Sequence, residues 1–371
     1  MRRSGWFWSL LTVVLFILVY LSGCAREGEK EQMVVYRGNL QRTGVFESEP
    51  LVQWKKVAWK FKTRNWVYAS AVVAGKNLLI GGVDGNLYAL NPSSGKERWH
   101  YWTRDAVYSA PAVATGVVYF ASMDKYFYAV SLKNGSEIWK FRTRQENYTS
   151  PIIYDNLVCF GSTDSTFYAL DKELGTLQWQ LKTGGKIYSS PALQGDTLFF
   201  GSEDRHLYAV DARTGAVMWR FDCEEGILST PALAHGRVYF GAKDGKIYAL
   251  NQKDGSKVWE YKTEEMISSS PAVYQGRVYI GSWDKHVYAV DEASGALKWR
   301  FRTEEAVLSS PTACGGMIYV GSRDGNLYAL DSATGREVWR FETGGSIACS
   351  PLVYRGMVIF GSEDRFVYAL E

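Results

Sequence analysis

The sequence predicts an all-β fold, an eight-bladed β-propeller of four-stranded antiparallel blades. Three observations carry that expectation. A unit of forty residues recurs eight times from Trp59 onward without insertion or deletion, a period typical of propellers. Gly, Tyr and Trp are plentiful, with 36, 24 and 14 copies, the composition of short strands joined by tight turns. The array opens with the signature of one outer strand, in Val52 to Thr63, and stops after the signature of a third strand, Phe366 to Leu370. Eight complete sheets therefore require the N-terminal strand to pair with the C-terminal blade, a closure that removes two open edges.

The repeat columns read directly. Trp stands at Trp59, Trp99, Trp139, Trp179, Trp219, Trp259, Trp299 and Trp339, one per unit. Tyr recurs from Tyr88 to Tyr368, each time before Ala, Asp recurs from Asp84 to Asp364, and Pro recurs in seven units from Pro111 to Pro351. Within one unit, strands named A to D from the inside outward are expected at Ser270 to Tyr274, Arg277 to Ser282, His286 to Val290 and Leu297 to Arg302. Strand C carries small or apolar residues on both faces, as a strand covered by neighbouring sheets does. Strand D alternates Lys298, Trp299, Arg300, Phe301 and Arg302, so one of its faces is wet. The loop from Asp291 to Leu297 holds Gly295 where a turn needs positive φ.

Ahead of the array, Arg2 and Arg3 precede an apolar run from Trp6 to Tyr20, the pattern of a signal peptide. The run ends at Leu21-Ser22-Gly23-Cys24, which resembles a bacterial lipobox. That resemblance implies cleavage before Cys24 and acylation there, with the bilayer as a partner. The expected organisation is a signal peptide over 1–23, a lipid-anchored tether and lead-in over 24–50, and the propeller over 51–371. Ala25 is not the Asp that retains enteric lipoproteins at the inner membrane. In a host with two membranes this implies the outer membrane, facing the periplasm.

Charge and side-chain chemistry exclude several functions. The formal charge is +3, falling to +1 once Arg2 and Arg3 leave with the signal peptide, too nearly neutral for a nucleic-acid partner. Cys159, Cys223, Cys314 and Cys349 fall at four different places in the repeat, without a CxxC or an adjacent pair. They read as buried thiols, supporting neither a zinc site nor a redox motif. His100, His206, His235 and His286 read as surface residues; the two that share a column, His206 and His286, stand two blades apart, too far to ligate one metal. No catalytic triad or phosphate loop is evident.

The segment from Ala289 through Asp291 and Gly295 to Trp299 resembles the tryptophan-docking motif of pyrroloquinoline-quinone-type propellers. It returns at Ala169 to Trp179, Ala209 to Trp219 and Ala329 to Trp339, and elsewhere with Asn or Ser in place of Asp. The lead-in Tyr36-Arg37-Gly38-Asn39 to Gly44 is similar to one common before such propellers. On this resemblance Trp99, Trp139, Trp179, Trp219, Trp259, Trp299 and Trp339 are structural, packing between blades. The Asp column is expected to form turns, its carboxylates bonding amides two residues on.

Three functional classes follow. Quinoprotein dehydrogenases of this family set their cofactor beneath a disulfide of adjacent cysteines, with a calcium held by acidic and amide side chains. The chain has no adjacent cysteines and no long insertions between blades, so no cofactor, no metal and no catalytic residue is expected. Blade number, lipobox and compact repeats resemble the BamB family of lipoproteins, which implies a non-catalytic scaffold binding a barrel-assembly subunit. An envelope propeller that binds or senses a ligand fits the same sequence.

Identical blades make a bland surface, so only their differences can specify a partner. The D-to-A loops differ most. Three successive loops carry Glu224-Glu225, Glu264-Glu265 and Glu304-Glu305, while Arg64, Arg104 and Arg144 stand across the ring. With the B-to-C turns, which add Trp283, Tyr126, Phe366, Lys285 and Arg365, they form the expected partner face. Adjacent carboxylates on open loops lack the burial that separates two pKa values, so acid-base chemistry is not expected of them.

Overall fold

The pairing of Trp59 with Ala369 closes the ring as the repeat count requires. The structure, a computed structural model, describes residues 33–371, and every regular element among them is a strand. The signal peptide, Cys24 and the tether as far as Gln32 lie outside the described residues. Eight sheets of four strands result, each antiparallel and ordered A-B-C-D. Blades are numbered here from the sheet spanning residues 72–102. Blade 8 takes strands A to C from the C-terminus and strand D, Val57–Lys62, from the N-terminal side.

In blade 6 the strands are Ala272–Tyr274, Arg277–Gly281, His286–Asp291 and Leu297–Arg302. Strand A starts two residues later than the alternation suggests. Pro271 has no N–H to give to a ladder, and the Ser270 amide bonds the Ser310 hydroxyl of the next blade at 2.9 Å. Ala289 faces Trp299, and a bulge after it carries the chain to the Val290–Leu297 pair. The same bulge recurs at Ala89, Ala129, Ala169, Ala209, Ala249 and Ala329, adding local twist at the outer strand.

The core lies between blades. Tyr239, Ile247 and Ala249 of blade 5 pack with Val278, Ile280 and Tyr288 of blade 6, all buried. Elsewhere the interlock is aromatic, with Phe127 stacked on Phe160 at 4.0 Å and Phe167 on Phe200 at 4.2 Å between ring centroids. The tryptophan column bridges blades. Trp259 donates its indole N–H to the Glu292 carbonyl at 2.9 Å. The same ring lies under Gly295, whose φ is +73° and where a Cβ would stand 2.7 Å from the indole. Glycine is required there twice, by backbone and by contact. At the seam Trp339 donates to the Leu51 carbonyl at 3.0 Å, so the lead-in replaces the loop of a further blade.

The lead-in also threads the central channel. Val34 pairs with Val113, and the carbonyls of Leu40, Gln41, Thr43 and Gly44 accept from the amides of Leu193, Leu233, Val273 and Ala313. One short segment thus bonds the innermost strands of blades 2, 4, 5, 6 and 7.

Candidate functional site

The Asp column builds the face that the loops share. Asp284 accepts the His286 amide at 3.0 Å, as a turn former should. It also accepts the Tyr288 hydroxyl of its own strand C at 2.8 Å and the Glu264 amide of the preceding D-to-A loop at 3.0 Å. Asp84, Asp124, Asp204, Asp324 and Asp364 make the same three contacts. In these blades the B-to-C turn is thereby clamped to a loop twenty residues earlier, placing both loop sets on one face. Burial first, and then the carboxylate, push the Tyr288 phenol above its ordinary pKa, so it remains a donor.

All six glutamates of the acidic arc are exposed, and the structure divides them. Glu224 meets Lys246 at 2.6 Å, Glu264 meets Arg300 at 3.4 Å and Glu305 meets Lys285 at 3.2 Å. Among the described residues Glu225, Glu265 and Glu304 have no ion pair. Arg64, Arg104 and Arg144 are likewise exposed and without an ion pair among the described residues, only their amides being bound to the Asp column. Trp283 is half-buried, its N–H on Ser268 at 2.9 Å and Arg323 over its ring at 5.9 Å. His206 and His286 are less exposed than surface residues, each turned back onto the Asp of its own turn.

Two features of this face escape a reading by charge. Trp66 and Trp102 are 45% and 62% exposed and follow Arg64 and precede Arg104 by two residues each. Their signal was available, since both stand outside the tryptophan column. The second feature is a cup at the channel mouth, about 180 Å³ in volume. One side of its wall is Tyr68, Tyr108, Tyr148 and Tyr188; the other is Leu228, Ser268, Leu308 and Ala348. Tyr68, Tyr108 and Tyr148 sit on the loops that carry the arginines, Tyr188 sits on the Gly184-Gly185 loop, and Leu228, Ser268 and Leu308 sit on the glutamate loops. A lower tier holds Ser70, Ser150, Ser190, Thr230, Ser270, Ser310 and Ser350, and Tyr36 of the lead-in forms the floor.

The cup does not fit a quinone held with calcium. Its lining has neither an acidic nor an amide side chain, and no tryptophan offers a platform. The four cysteines among the described residues are buried and unpaired, and burial pushes the Cys349 thiol at the wall up to about 12.

The family model described as "Outer membrane protein assembly factor BamB" matches residues 52–185, 163–284 and 283–371. No curated protein matches the chain in sequence. Among solved structures, BamB from Moraxella catarrhalis is similar with a TM-score of 0.75 at 18% identity, covering 85% of this chain and 97% of that one. The quinohemoprotein alcohol dehydrogenase from Comamonas testosteroni is similar with a TM-score of 0.80 at 14% identity, covering 91% and 80%. A europium-containing methanol dehydrogenase is similar with a TM-score of 0.77 at 14% identity, covering 89% and 88%. At such identities these likenesses concern the fold.

Proposed function

The chain belongs to the family described as outer membrane protein assembly factor BamB, and from that premise we propose that it is a non-catalytic scaffold, lipid-anchored through Cys24 in the cell envelope, that binds a barrel-assembly subunit. The observation that carries this reading is the rim itself. The repeated residues hold the ring, and the D-to-A loops, where the blades differ, set the unpaired charges of Glu225, Glu265, Glu304, Arg64, Arg104 and Arg144 on one face beside exposed Trp66 and Trp102. Large aromatic side chains and arginines are what protein interfaces favour. The cup's lack of acidic and amide side chains argues against the dehydrogenase alternative.

The test is affinity capture with crosslinking of the native lipoprotein from its own membranes, with absorbance recorded on the same sample. Recovery of a barrel-assembly subunit without a quinone spectrum supports the scaffold. Charge reversal of Glu224, Glu225, Glu264 and Glu265 together should then cut that recovery several-fold while leaving the fold intact. A quinone spectrum, or capture without any barrel-assembly subunit, sinks the proposal; capture unchanged by the reversal sinks the acidic half of the face.

A further inference from the structure

Arg37 and Arg42 of the lead-in are buried, 3% and 0% exposed, at the centre of the ring. Neither has a carboxylate within ion-pair distance among the described residues. Their partners are neutral carbonyls. Arg42 donates to Pro191 at 3.0 Å, Pro151 at 2.8 Å and Tyr36 at 2.6 Å. Arg37 donates to Arg42 at 3.1 Å, Pro271 at 2.6 Å and Pro311 at 3.3 Å. Those bonds give each nitrogen of Arg42 an acceptor, but the Nη1 of Arg37 has none. Burial pulls Arg42 down to about 9, so it stays charged at neutral pH.

Two buried cations without a counter-charge are costly, and one unmet donor adds to that cost. Directly beside them is the cup floor. Both guanidiniums lie about the Tyr36 ring, at 6.0 and 5.5 Å from its centroid, and the Tyr36 hydroxyl reaches Ser350 at 3.0 Å. Burial would raise that phenol's pKa, yet the Arg37 charge and hydrogen bonds around it hold it below its ordinary value, so the positive field reaches the floor. The floor and the serine tier offer hydroxyls and no acid to cancel that field; Glu363 touches the wall instead, where it accepts the Tyr68 hydroxyl at 2.8 Å, and low-dielectric walls concentrate the field.

We propose that the cup is a binding site for one compact oxyanion, a carboxylate or phosphate group, seated on Tyr36, Ser310 and Ser350 over the charges of Arg37 and Arg42. A volume of about 180 Å³ admits such a group together with bridging water. The oxyanion supplies the counter-charge that the protein does not, and the serine tier supplies donors that rotate to meet it.

The full chain, purified in detergent, is titrated calorimetrically with inorganic phosphate and separately with acetate, at constant ionic strength in chloride. Saturable heat with either probe is expected, and which probe binds identifies phosphate or carboxylate as the ligand chemistry. Tyr36→Phe and Ser350→Ala should each weaken that binding about tenfold through loss of a hydrogen bond to an anion, without needing the arginines to be touched. Arg37→Gln should abolish it, with a thermal melt showing that the variant is folded. No saturable heat with either probe, or binding equal to wild type in both hydroxyl variants, overturns the proposal. None of these outcomes depends on whether a barrel-assembly subunit is captured.

Discussion

Trp259 in blade 5 and Arg42 in the lead-in are both buried, and both donate to backbone carbonyls of other parts of the ring. One stands in a column filled in every blade and the other occurs once. The tryptophan's partner is the next blade's loop, thirty-three residues on everywhere except at the seam, where Trp339 turns to Leu51, so its contact exists wherever two blades meet. The partners of Arg42 belong to blades 3 and 4, 109 and 149 residues away, and those of Arg37, five residues before it, belong to blades 6 and 7, so the four carbonyls converge on one short segment only when the ring has closed. Repetition makes local contacts that tolerate any number of blades, while the lead-in reads the finished circle. A propeller held by the first alone would have no fixed centre.

That contrast can be broken from either side. Trp259→Ala should have the largest effect, about 3 to 5 kcal/mol of destabilisation, because the indole fills the space between two blades and caps Gly295. Denaturant unfolding followed by tryptophan fluorescence measures it; a cost near zero would mean that the column is not structural. Arg42→Gln should come next, at about 2 to 3 kcal/mol, since the shorter amide leaves buried carbonyls of Pro151 and Pro191 without their donor. If blades carried all the stability, the arginine variant would melt with wild type.

What could be read in advance follows the same division. Blade number, strand order, the closing strand and the turn-forming aspartates are legible, because a column repeated eight times states its own structural purpose. Strand A was placed two residues early because alternation cannot tell that the Ser270 amide leaves its ladder for the Ser310 hydroxyl. The rim charges were legible, but their pairing was not. Lys246, Arg300 and Lys285 meet glutamates 22, 36 and 20 residues away, separations that follow no single column of the repeat. The floor of the cup was least legible of all. Arg37 and Arg42 have no acidic partner to suggest a pair, and their acceptors are carbonyls, which carry no mark in a sequence.

The clamp marks where the two regimes touch, because its aspartate belongs to the repeat while the loop it holds differs from blade to blade. Tyr288→Phe removes the hydroxyl from Asp284 but leaves the carboxylate its amides from Glu264 and His286, so the expected cost is only about 1 kcal/mol. The phenol's pKa is raised above its ordinary 10.0 in the folded chain by burial and then by Asp284. Its contribution is therefore complete below pH 10 and is lost as pH rises through the higher folded value. The stability difference between Tyr288→Phe and wild type should accordingly be flat across neutral pH and shrink only in alkali. A difference that shrank in acid would instead assign the clamp's strength to the carboxylate and its amides. Glu265→Lys, on the exposed part of the loop that this clamp positions, should change stability by less than about 0.5 kcal/mol, so the loop can vary its charge without loosening the turn that holds it.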